Sequence, residues 1–303
     1  MRAIITGATG AVGHALIEEL VNNNIEVLIF VRKDSARNAS IPKHKLVNII
    51  ECSLEQLKDI QNVTGKKYDV FYHFAWSGTT GDARNDMYLQ NQNVKYSLDA
   101  VDVAKRFGCD TFIGAGSQAE YGRVDGLLKV NTPTFPENGY GIGKLCAGQM
   151  TREYAHKFGI KHIWVRILSV YGPYDGKQSM VMSTINKLKQ GIVPKFTKGE
   201  QMWDYLYSKD AAEAFRLLAE KGHDGKVYVL GSGKVKPLSE YIYDIKNCVN
   251  PYCEVAMGAI PYSEKQVMHL EADISELKKD TGFGPKTIFI DGIKETLKWS
   301  STL

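Results

Sequence analysis

The sequence predicts an α/β fold in which a doubly wound parallel sheet is followed by a smaller C-terminal domain. The first observation is a short β-branched run, Arg2 to Thr6, that leads through a glycine-rich turn into a stretch with helical period. The second is the nearly unbroken apolar run from Tyr68 to Ala75, which is typical of a strand buried on both faces and therefore of a parallel sheet.

Length and composition allow this fold and exclude several functions. A chain of 303 residues buries a substantial core without disulfide bonds. The net charge of +4 comes from scattered Lys and Arg, which predicts no nucleic-acid surface. No apolar stretch approaches the ~18 residues of a membrane span, and the run Ala3 to Ile5 is too short for a signal peptide.

The cysteines favour a reducing, cytoplasmic location. They are odd in number and contain no CxxC pair, so neither a disulfide framework nor a metal site is expected. The five are Cys52, Cys109, Cys146, Cys248 and Cys253.

The glycine-rich turn predicts a dinucleotide site of the Rossmann type. Gly7, Gly10 and Gly13 allow a tight turn, close approach of a pyrophosphate to the N–H groups at the helix start, and close packing of the helix on the strand. Because the pattern follows a strand and opens a helix, it is more specific than three glycines alone. We expect the cofactor to contact the turn and the end of the Tyr68 to Ala75 strand, at Gly7, Thr9, Gly10, Ala11, Val12, Gly13, Phe74 and Ala75.

The end of the second predicted strand, Glu26 to Val31, indicates which dinucleotide binds. A carboxylate usually stands there, about 20 residues beyond the glycines, and accepts hydrogen bonds from the adenosine ribose of NAD. This chain has Arg32 and Lys33 instead, and two cations pair well with a 2′-phosphate. NADP(H) is therefore the preferred prediction, with Arg37 as a third contact. NAD(H) is the alternative, in which Asp34 serves the ribose.

Further elements complete the predicted sheet. Val47 to Ile50 forms a third strand, and a long helix over Met87 to Phe107 leads to a fifth strand, Thr111 to Ile113. The glycine-rich segment that follows delivers Ser117 to the same sheet edge as the dinucleotide turn, where a hydroxyl can bond a substrate carbonyl oxygen. His73 lies inside an apolar strand, and we expect it to be a core residue.

Tyr140 and Lys144 are four residues apart and therefore share one face of a predicted helix. The apolar residues after them recur at helical spacing, which places the pair near the start of that helix. An ammonium beside a phenol stabilises the phenolate and lowers the tyrosine pKa from about 10 toward neutrality. Such a tyrosine donates and accepts protons in the redox chemistry of a C–OH/C=O pair.

With the three glycines, then Ser117, then Tyr140 and Lys144 in this order, the sequence resembles the extended short-chain dehydrogenases/reductases that modify nucleotide sugars. The resemblance spans nearly the whole chain. Three later segments are similar to the family's sugar-site strand and loop, its RDxxxVxD stretch and its NxGxG strand, respectively: Arg166 to Pro173, Trp203 to Asp210 and Tyr228 to Gly233.

The resemblance implies a role for each residue. Tyr140 is the general acid/base, Lys144 binds the nicotinamide ribose and tunes Tyr140, and Ser117 binds the reacting oxygen. Asn93 matches the helix asparagine that links Lys144 to solvent through water. The substrate is expected at positions in the loop after the fourth strand, the catalytic group and the sugar-site segments, namely Trp76, Ser77, Ser117, Gln118, Tyr140, Ser169, Tyr171 and Trp203.

The chain departs from the family pattern where the reaction is decided. The 4,6-dehydratases have an Asp-Glu pair directly after the serine or threonine, and this chain has Gln118 and Ala119 there, so elimination of water lacks its acid and base. Glu120 comes one residue too late. The family's usual diphosphate, sugar and adenine contacts are replaced by Trp203, Ser169 and Cys52. Three lysines are candidates to bind the diphosphate instead: Lys195, Lys198 and Lys265.

The leading prediction is an NADPH-dependent reductase of a 4-keto nucleotide sugar that makes a deoxy sugar for a surface polysaccharide. The alternative is a nucleotide-sugar 4-epimerase, which oxidises C4, returns the hydride to the other face of the sugar and retains its NAD. A non-catalytic NADP sensor on the same fold is disfavoured, because a sensor does not need Ser117, Tyr140 and Lys144.

The resemblance also implies a division into domains and an assembly. Residues 1–170, with a return near 205–230, form the NAD(P)-binding domain. Residues 171–204 and 231–303 form the nucleotide-sugar domain. The long helices that follow residues 87 and 140 pair across a two-fold axis in the family, so a homodimer is expected.

Overall fold

The computed structural model of the protein describes residues 1–301. The strands are β1 (Arg2–Thr6), β2 (Glu26–Val31), β3 (Val47–Glu51), β4 (Val70–His73), β5 (Thr111–Ser117), β6 (Leu127–Leu128), β7 (Lys161–Ile167), β8 (Ser169–Tyr171), β9 (Met202–Trp203), β10 (Tyr205–Tyr207), β11 (Val227–Leu230), β12 (Lys236–Pro237) and β13 (His269–Ala272). The α-helices are α1 (Ala11–Asn22), α2 (Met87–Arg106), α3 (Gly139–His156), α4 (Met180–Lys189), α5 (Ser208–Lys221), α6 (Leu238–Val249), α7 (Ser275–Thr281) and α8 (Phe289–Ser300).

A seven-stranded parallel sheet organises the molecule, with the strand order β11-β7-β5-β4-β1-β2-β3. The order of strands reverses at β1. Strands β2 and β3 lie on one side of it, and β4, β5, β7 and β11 lie on the other. Ligands of such sheets bind at this point, outside the carboxyl ends of the strands. The predicted α/β fold with a doubly wound parallel sheet is confirmed.

Helices cover both faces of the sheet because alternate strand residues point to opposite sides. In β1, Ile5 packs in one core cluster with Leu16 of α1 and Phe215 of α5. Its neighbour Ile4 packs in the opposite cluster with Val101 of α2. All these side chains are buried, so the sheet is apolar on both faces, as the run from Tyr68 to Ala75 predicts.

Strand β5 is longer than predicted and includes the glycine-rich segment through Ser117. Because these glycines have no side chains, the Trp164 ring of β7 can pack against this part of the strand. A Cβ on Gly114 would lie 2.3 Å from the Trp164 ring, and one on Gly116 would lie 2.4 Å from its Nε1. These glycines therefore make room for an indole rather than forming a turn.

His73 is a core residue, as predicted. It is buried in β4, with Nδ1 2.9 Å from Thr6 Oγ1 and Nε2 3.2 Å from Ser97 Oγ. Burial lowers its pKa to about 3, so the ring is neutral at physiological pH and both nitrogens have partners.

The C-terminal part of the chain builds a second lobe. Buried residues of α4, α6 and α8 form its main core cluster. A four-stranded sheet in the order β12-β9-β13-β6 lies beside it, while β8 and β10 pair separately. Within residues 1–301 no helix combines the length and apolar character needed to cross a bilayer.

Candidate active site

The turn between β1 and α1 needs its first and third glycines. Gly7 has a φ of +75°, and a Cβ on it would lie 2.6 Å from the amide nitrogen of Ala75. A Cβ on Gly13 would lie 2.4 Å from the carbonyl oxygen of Gly7. Helix α1 begins after Gly10, and in the described chain no side chain caps its first N–H groups. These groups are therefore open to an anion, and the turn fits the pyrophosphate of a dinucleotide.

A cleft of about 470 Å³ extends from this turn to the ends of β2 and β4. Nine residues predicted to contact cofactor or substrate line it: Gly7, Thr9, Gly10, Arg32, Arg37, Phe74, Ala75, Trp76 and Ser77. The other predicted cofactor residues lie outside its wall: Ala11, Val12, Gly13, Lys33 and Lys144.

The end of the cleft next to β2 carries arginines. Arg32 lines the cleft directly after the strand, and Arg37 lines it nearby, donating from Nη2 to the carbonyl of Thr9 at 2.6 Å. Lys33 and Asp34 are exposed and lie outside the cleft wall, with Asp34 in the left-handed region at a φ of 58°. Of the two adjacent cations singled out in the sequence, the one that lines the cleft is Arg32.

Ser117 and Tyr140 meet at the carboxyl edge of the sheet. Ser117 ends β5, and Tyr140 is the second residue of α3, whose start is capped by a hydrogen bond from the Gly141 N–H to the Asn138 side chain at 2.8 Å. Burial raises the pKa of Tyr140, while the nearby Ser117 hydroxyl and the charge of Arg84 act in the opposite direction. The phenol is therefore protonated at neutral pH, which corrects the lowered pKa expected from the sequence.

The surroundings of Lys144 explain this correction. Its Nζ donates to the carbonyl of Ala115 at 2.7 Å and lies 3.9 Å from the Trp76 ring centroid, against 5.8 Å from the Tyr140 ring centroid. Burial lowers the pKa of Lys144 to about 7, although the charge of Glu120 raises it. A buried amine that is only partly charged at neutral pH and that bonds a carbonyl gives the phenolate little stabilisation.

Replacing Lys144 with methionine should remove a pH-dependent cost of folding. Because the folded pKa of about 7 lies below the ordinary 10.5, the wild type is penalised fully below pH 7, and the penalty fades as the pH rises from 7 toward 10.5. Relative to Lys144→Met, the wild type should gain about 2 to 3 kcal/mol of unfolding free energy between pH 6 and pH 9. Denaturant titrations at both pH values measure this gain.

The matched control for this experiment is Lys157→Met. Lys157 caps the C-terminal end of the same helix but is exposed. Its replacement should leave the pH dependence of the unfolding free energy as in the wild type. If Lys144→Met also keeps the wild-type pH dependence, the lowered pKa of Lys144 is refuted.

Two amide side chains of α2 fix the loop that follows β4. Gln90 is buried, accepts a hydrogen bond from the Trp76 indole at 2.8 Å and donates to two carbonyls of the loop. Asn93 accepts from the Ser77 N–H at 3.0 Å and donates to the Ser77 carbonyl at 2.9 Å. The Asn93 side chain therefore positions this loop, and the water-mediated link to Lys144 that the resemblance implies stays a prediction.

The loop presents an indole and a guanidinium to the predicted catalytic tyrosine. Trp76 packs edge-on to Tyr140 with ring centroids 6.1 Å apart, and the Arg84 guanidinium lies 4.3 Å from the Tyr140 ring centroid. Arg84 also donates from Nη1 to the Thr79 carbonyl at 2.9 Å. Sequence reasoning missed Arg84 and Gln90. The position of Gln90 on the apolar face of a helix was a usable signal, but nothing near Arg84 in sequence points to Tyr140.

Glu120 is fully buried beneath Ser117 and belongs to the scaffold. Its Oε1 accepts from the Ser117 N–H at 2.8 Å and from the Trp164 indole at 2.9 Å. Its Oε2 pairs with Arg166 Nε at 2.8 Å. Because both oxygens are bound by β5 and β7, this carboxylate is unavailable as an acid or base toward a substrate.

The sugar-site residues predicted in the second lobe separate into two groups. Trp203 donates from Nε1 to Ser169 Oγ at 2.8 Å, and both side chains are partly exposed. Tyr171 is only 1% exposed, and its hydroxyl donates to the Phe289 carbonyl at 3.0 Å. The prediction that Tyr171 contacts substrate is therefore corrected, because its ring and hydroxyl are used in the core of the lobe.

A second cavity, of about 320 Å³, lies on the Tyr140 side of the site. We call it the Arg84 cavity, after Arg84, Gln118, Arg123, Glu137 and Lys265 in its wall. Among the lysines considered for the substrate diphosphate, only Lys265 lines this cavity, while Lys195 and Lys198 are exposed between α4 and β9.

Comparisons with known proteins agree with this fold and site. The model of the NAD dependent epimerase/dehydratase family matches residues 3–231. A putative UDP-glucose 4-epimerase of Methanocaldococcus jannaschii is 24% identical over 98% of this chain and 97% of its own length. CDP-abequose synthase of Salmonella typhimurium is 26% identical over 97% of each chain.

Among solved structures, the UDP-N-acetylglucosamine 4-epimerase of Methanobrevibacter ruminantium superposes with a TM-score of 0.89 at 23% identity, covering 99% of this chain and 98% of that one. This superposition shows a common fold. The family match covers well over half of the chain, and it confirms the resemblance drawn from the glycine turn, Ser117, Tyr140 and Lys144. The protein therefore belongs to the NAD dependent epimerase/dehydratase family, the nucleotide-sugar branch of the extended short-chain dehydrogenases/reductases.

Proposed function

We propose that the protein is an NADPH-dependent reductase of a 4-keto nucleotide sugar and makes a deoxy sugar for a surface polysaccharide. The observation that carries this proposal is Arg32 in the wall of the cofactor cleft at the end of β2, where an NAD enzyme needs a carboxylate. A guanidinium at that point pairs with a 2′-phosphate. The similarity to a CDP-abequose synthase supports a nucleotide sugar as the substrate.

The residues of the chain divide the reaction between them. When bound, the reduced nicotinamide supplies a hydride to C4 of the sugar. Ser117 donates a hydrogen bond to the C4 carbonyl oxygen and holds that oxygen beside Tyr140. Tyr140 then gives its phenolic proton to the developing alkoxide, and burial keeps the proton on the phenol until that moment. As negative charge forms on Tyr140, Lys144 takes up a proton from solvent water and, as an ammonium, stabilises the phenolate.

The glycine turn leaves room for the cofactor in the cleft, because Gly7 and Gly10 carry no side chains. Gly7 and Gly10 would hold the pyrophosphate at the start of α1 and Arg32 would bind the 2′-phosphate, while Phe74 and Ala75 line the same cleft. Lys144 binds the nicotinamide ribose, as the resemblance implies.

Arg32→Ala should weaken NADPH about ten- to a hundredfold and leave NADH nearly unchanged, because the lost charge-assisted bonds are worth about 1.5 to 3 kcal/mol. Fluorescence titration with each reduced cofactor measures both affinities. Lys33→Ala is the matched control, because Lys33 is the next residue and has the same charge but lies outside the cleft wall. Its replacement should lower the affinity for NADPH much less. An equal loss of NADH and NADPH affinity in Arg32→Ala would show that Arg32 does not read the 2′-phosphate.

The second candidate is a nucleotide-sugar 4-epimerase with retained NAD. It is favoured by the names of several similar proteins, among them the 4-epimerases of Methanocaldococcus jannaschii and Methanobrevibacter ruminantium. The absorbance and native mass of the purified protein, followed by assays on 4-keto sugars and on pairs of 4-epimers, separate the two candidates. Tightly retained NAD, steady interconversion of epimers and no consumption of NADPH would refute the reductase. Asp34 would then be our candidate for the adenosine ribose.

We further propose that the protein is a homodimer in which α2 and α3 of each subunit pair across a two-fold axis. Large apolar side chains are exposed at the start of α2 and along α3: Met87, Tyr88, Ile142 and Met150. Tyr88 is the most exposed of these four side chains, at 90%, and the proposed pairing would cover it. Sedimentation at micromolar concentration should give a dimer, and Ile142→Glu should shift it toward the monomer. A wild-type monomer would refute the proposed pairing.

We also propose that the lobes divide the ligands. Residues 1–170, with a return near 205–230, bind the cofactor, because β11 joins the large sheet beside β7. Residues 171–204 and 231–303 bind the nucleotide sugar. The buried thiols of Cys52 and Cys109, whose pKa burial raises, favour the reducing cytoplasm as the place where the enzyme acts.

A further inference from the structure

We propose that the Arg84 cavity binds an anionic group of the substrate, either the diphosphate or a carboxylate on the sugar. The inference rests on the proposed function in one respect, namely that the substrate reacts at Tyr140. Arg84 connects the two places, because its side chain lines the cavity while its guanidinium stacks on the Tyr140 ring at 4.3 Å. Gln118 and Ala119 in the cavity wall directly follow Ser117. An anion in this cavity is therefore next to the reacting oxygen.

The wall of the Arg84 cavity carries more positive than negative side chains. Its wall contains Arg84, Arg123 and Lys265 but a single carboxylate, Glu137. Arg123 binds both oxygens of Glu137, each at 2.7 Å, and so neutralises it. Lys265 acts on Glu137 only through its charge and forms no hydrogen bond or salt bridge within residues 1–301. Arg84 uses one N–H for the Thr79 carbonyl, so two cations remain to bind a ligand.

The neutral polar groups of the wall are also oriented as donors. Asn85 accepts from the Gly139 N–H through Oδ1 at 3.2 Å, and Asn138 accepts from the Gly141 N–H through Oδ1 at 2.8 Å. Both side chains line the cavity, and their acceptor oxygens are occupied by the backbone. The amide N–H₂ group of each is a donor that suits an anion.

Arg84 is held in place before any ligand arrives. Its loop is fixed to α2 by the buried Gln90, which donates to the carbonyls of Gly78 at 3.0 Å and Ala83 at 2.8 Å. The second carbonyl belongs to the residue directly before Arg84. A cation fixed in this way loses little conformational entropy on binding an anion.

The other side of the site does not supply this charge. Trp203 stands where the family usually has an arginine, and its indole N–H is already donated to Ser169. An indole carries no charge, so a diphosphate or carboxylate needs cations from elsewhere. Arg84 and Lys265 are the two in the described chain that face a cavity next to Tyr140 without a carboxylate partner of their own.

Anion binding to the full-length protein tests the proposal. The cofactor cleft is first filled with NADP⁺, or with NAD⁺ if only that binds, so that the glycine turn is occupied. Pyrophosphate and glucuronate are then titrated separately by calorimetry and by thermal shift. Saturable binding of one or both is expected, weakened roughly tenfold by Arg84→Gln and by Lys265→Gln. Lys43→Gln removes an exposed charge outside both cavities and should have no effect.

The two probes identify the source of the anion. A loss confined to pyrophosphate assigns the cavity to the diphosphate, and a loss confined to glucuronate assigns it to an acidic sugar. No saturable binding of either probe overturns the proposal, as does an affinity that Arg84→Gln and Lys265→Gln leave unchanged or that Lys43→Gln lowers equally. Because binding is measured without turnover, failure to reduce 4-keto sugars would refute the reductase alone.

Discussion

Tyr140→Phe should lower turnover about a hundred- to ten-thousandfold while changing the melting temperature little. The substitution removes one hydroxyl, and with it the proton that the alkoxide needs. The ring remains between Trp76 and Arg84, so the packing of the loop is preserved. NADPH consumption at saturating cofactor, measured beside thermal unfolding, separates the loss of chemistry from any loss of structure.

Tyr154→Phe is the matched control for this experiment. Tyr154 lies near the other end of the same helix, and its hydroxyl donates to Asp102 of α2 at 2.9 Å. Its removal should leave turnover at the wild-type level. If Tyr140→Phe retains comparable activity to Tyr154→Phe on the identified substrate, Tyr140 is not the proton donor, and the mechanism proposed for Ser117, Tyr140 and Lys144 is refuted.

Glu120→Ala should lower the free energy of unfolding by about 3 to 5 kcal/mol, because it leaves the charge of Arg166 buried without its partner. The Ser117 N–H and the Trp164 indole lose their acceptor at the same time. Chemical denaturation measures the loss. Turnover of the fraction that remains folded should fall as well, since the Ser117 backbone is no longer held.

Glu137→Ala is the corresponding control. Glu137 also binds an arginine through its carboxylate, but the pair with Arg123 is open to solvent, and such pairs contribute little to the free energy of unfolding. Equal destabilisation by Glu120→Ala and Glu137→Ala would show that burial of the Glu120 pair adds nothing. A Glu120→Ala protein with wild-type stability but no turnover would instead make Glu120 a participant in the chemistry.

Local patterns in the sequence predicted the parts of the molecule that depend on neighbouring residues. The turn at Gly7 to Gly13 is such a part, since its strand, glycines and helix are contiguous. The helix that carries Tyr140 and Lys144 is another, because helical spacing alone puts both residues on one face. The parallel sheet follows from the regular alternation of predicted strands and helices, which is typical of α/β folds.

Contacts between distant segments account for what the sequence did not predict. The extension of β5 through its glycines depends on Trp164, which reaches it from β7. Glu120 is held as a structural residue by its ion pair with Arg166, which also lies in β7. Arg84 is positioned over the ring of Tyr140, which is 56 residues away in the sequence. The pKa values of Tyr140 and Lys144 also differ from expectation, because spacing predicts proximity but does not predict burial.

The position of Trp76 should make its fluorescence sensitive to the cofactor bound in the cleft. The indole lines the cofactor cleft on one side and lies over Lys144 on the other, at the place where the nicotinamide is expected. Indole emission overlaps the absorption of reduced nicotinamides, so energy transfer to a bound cofactor quenches it. The sequence contains three other tryptophans, and a Trp76→Phe protein supplies their signal for subtraction. The difference spectrum then reports, turnover by turnover, whether the cleft holds the reduced or the oxidised cofactor.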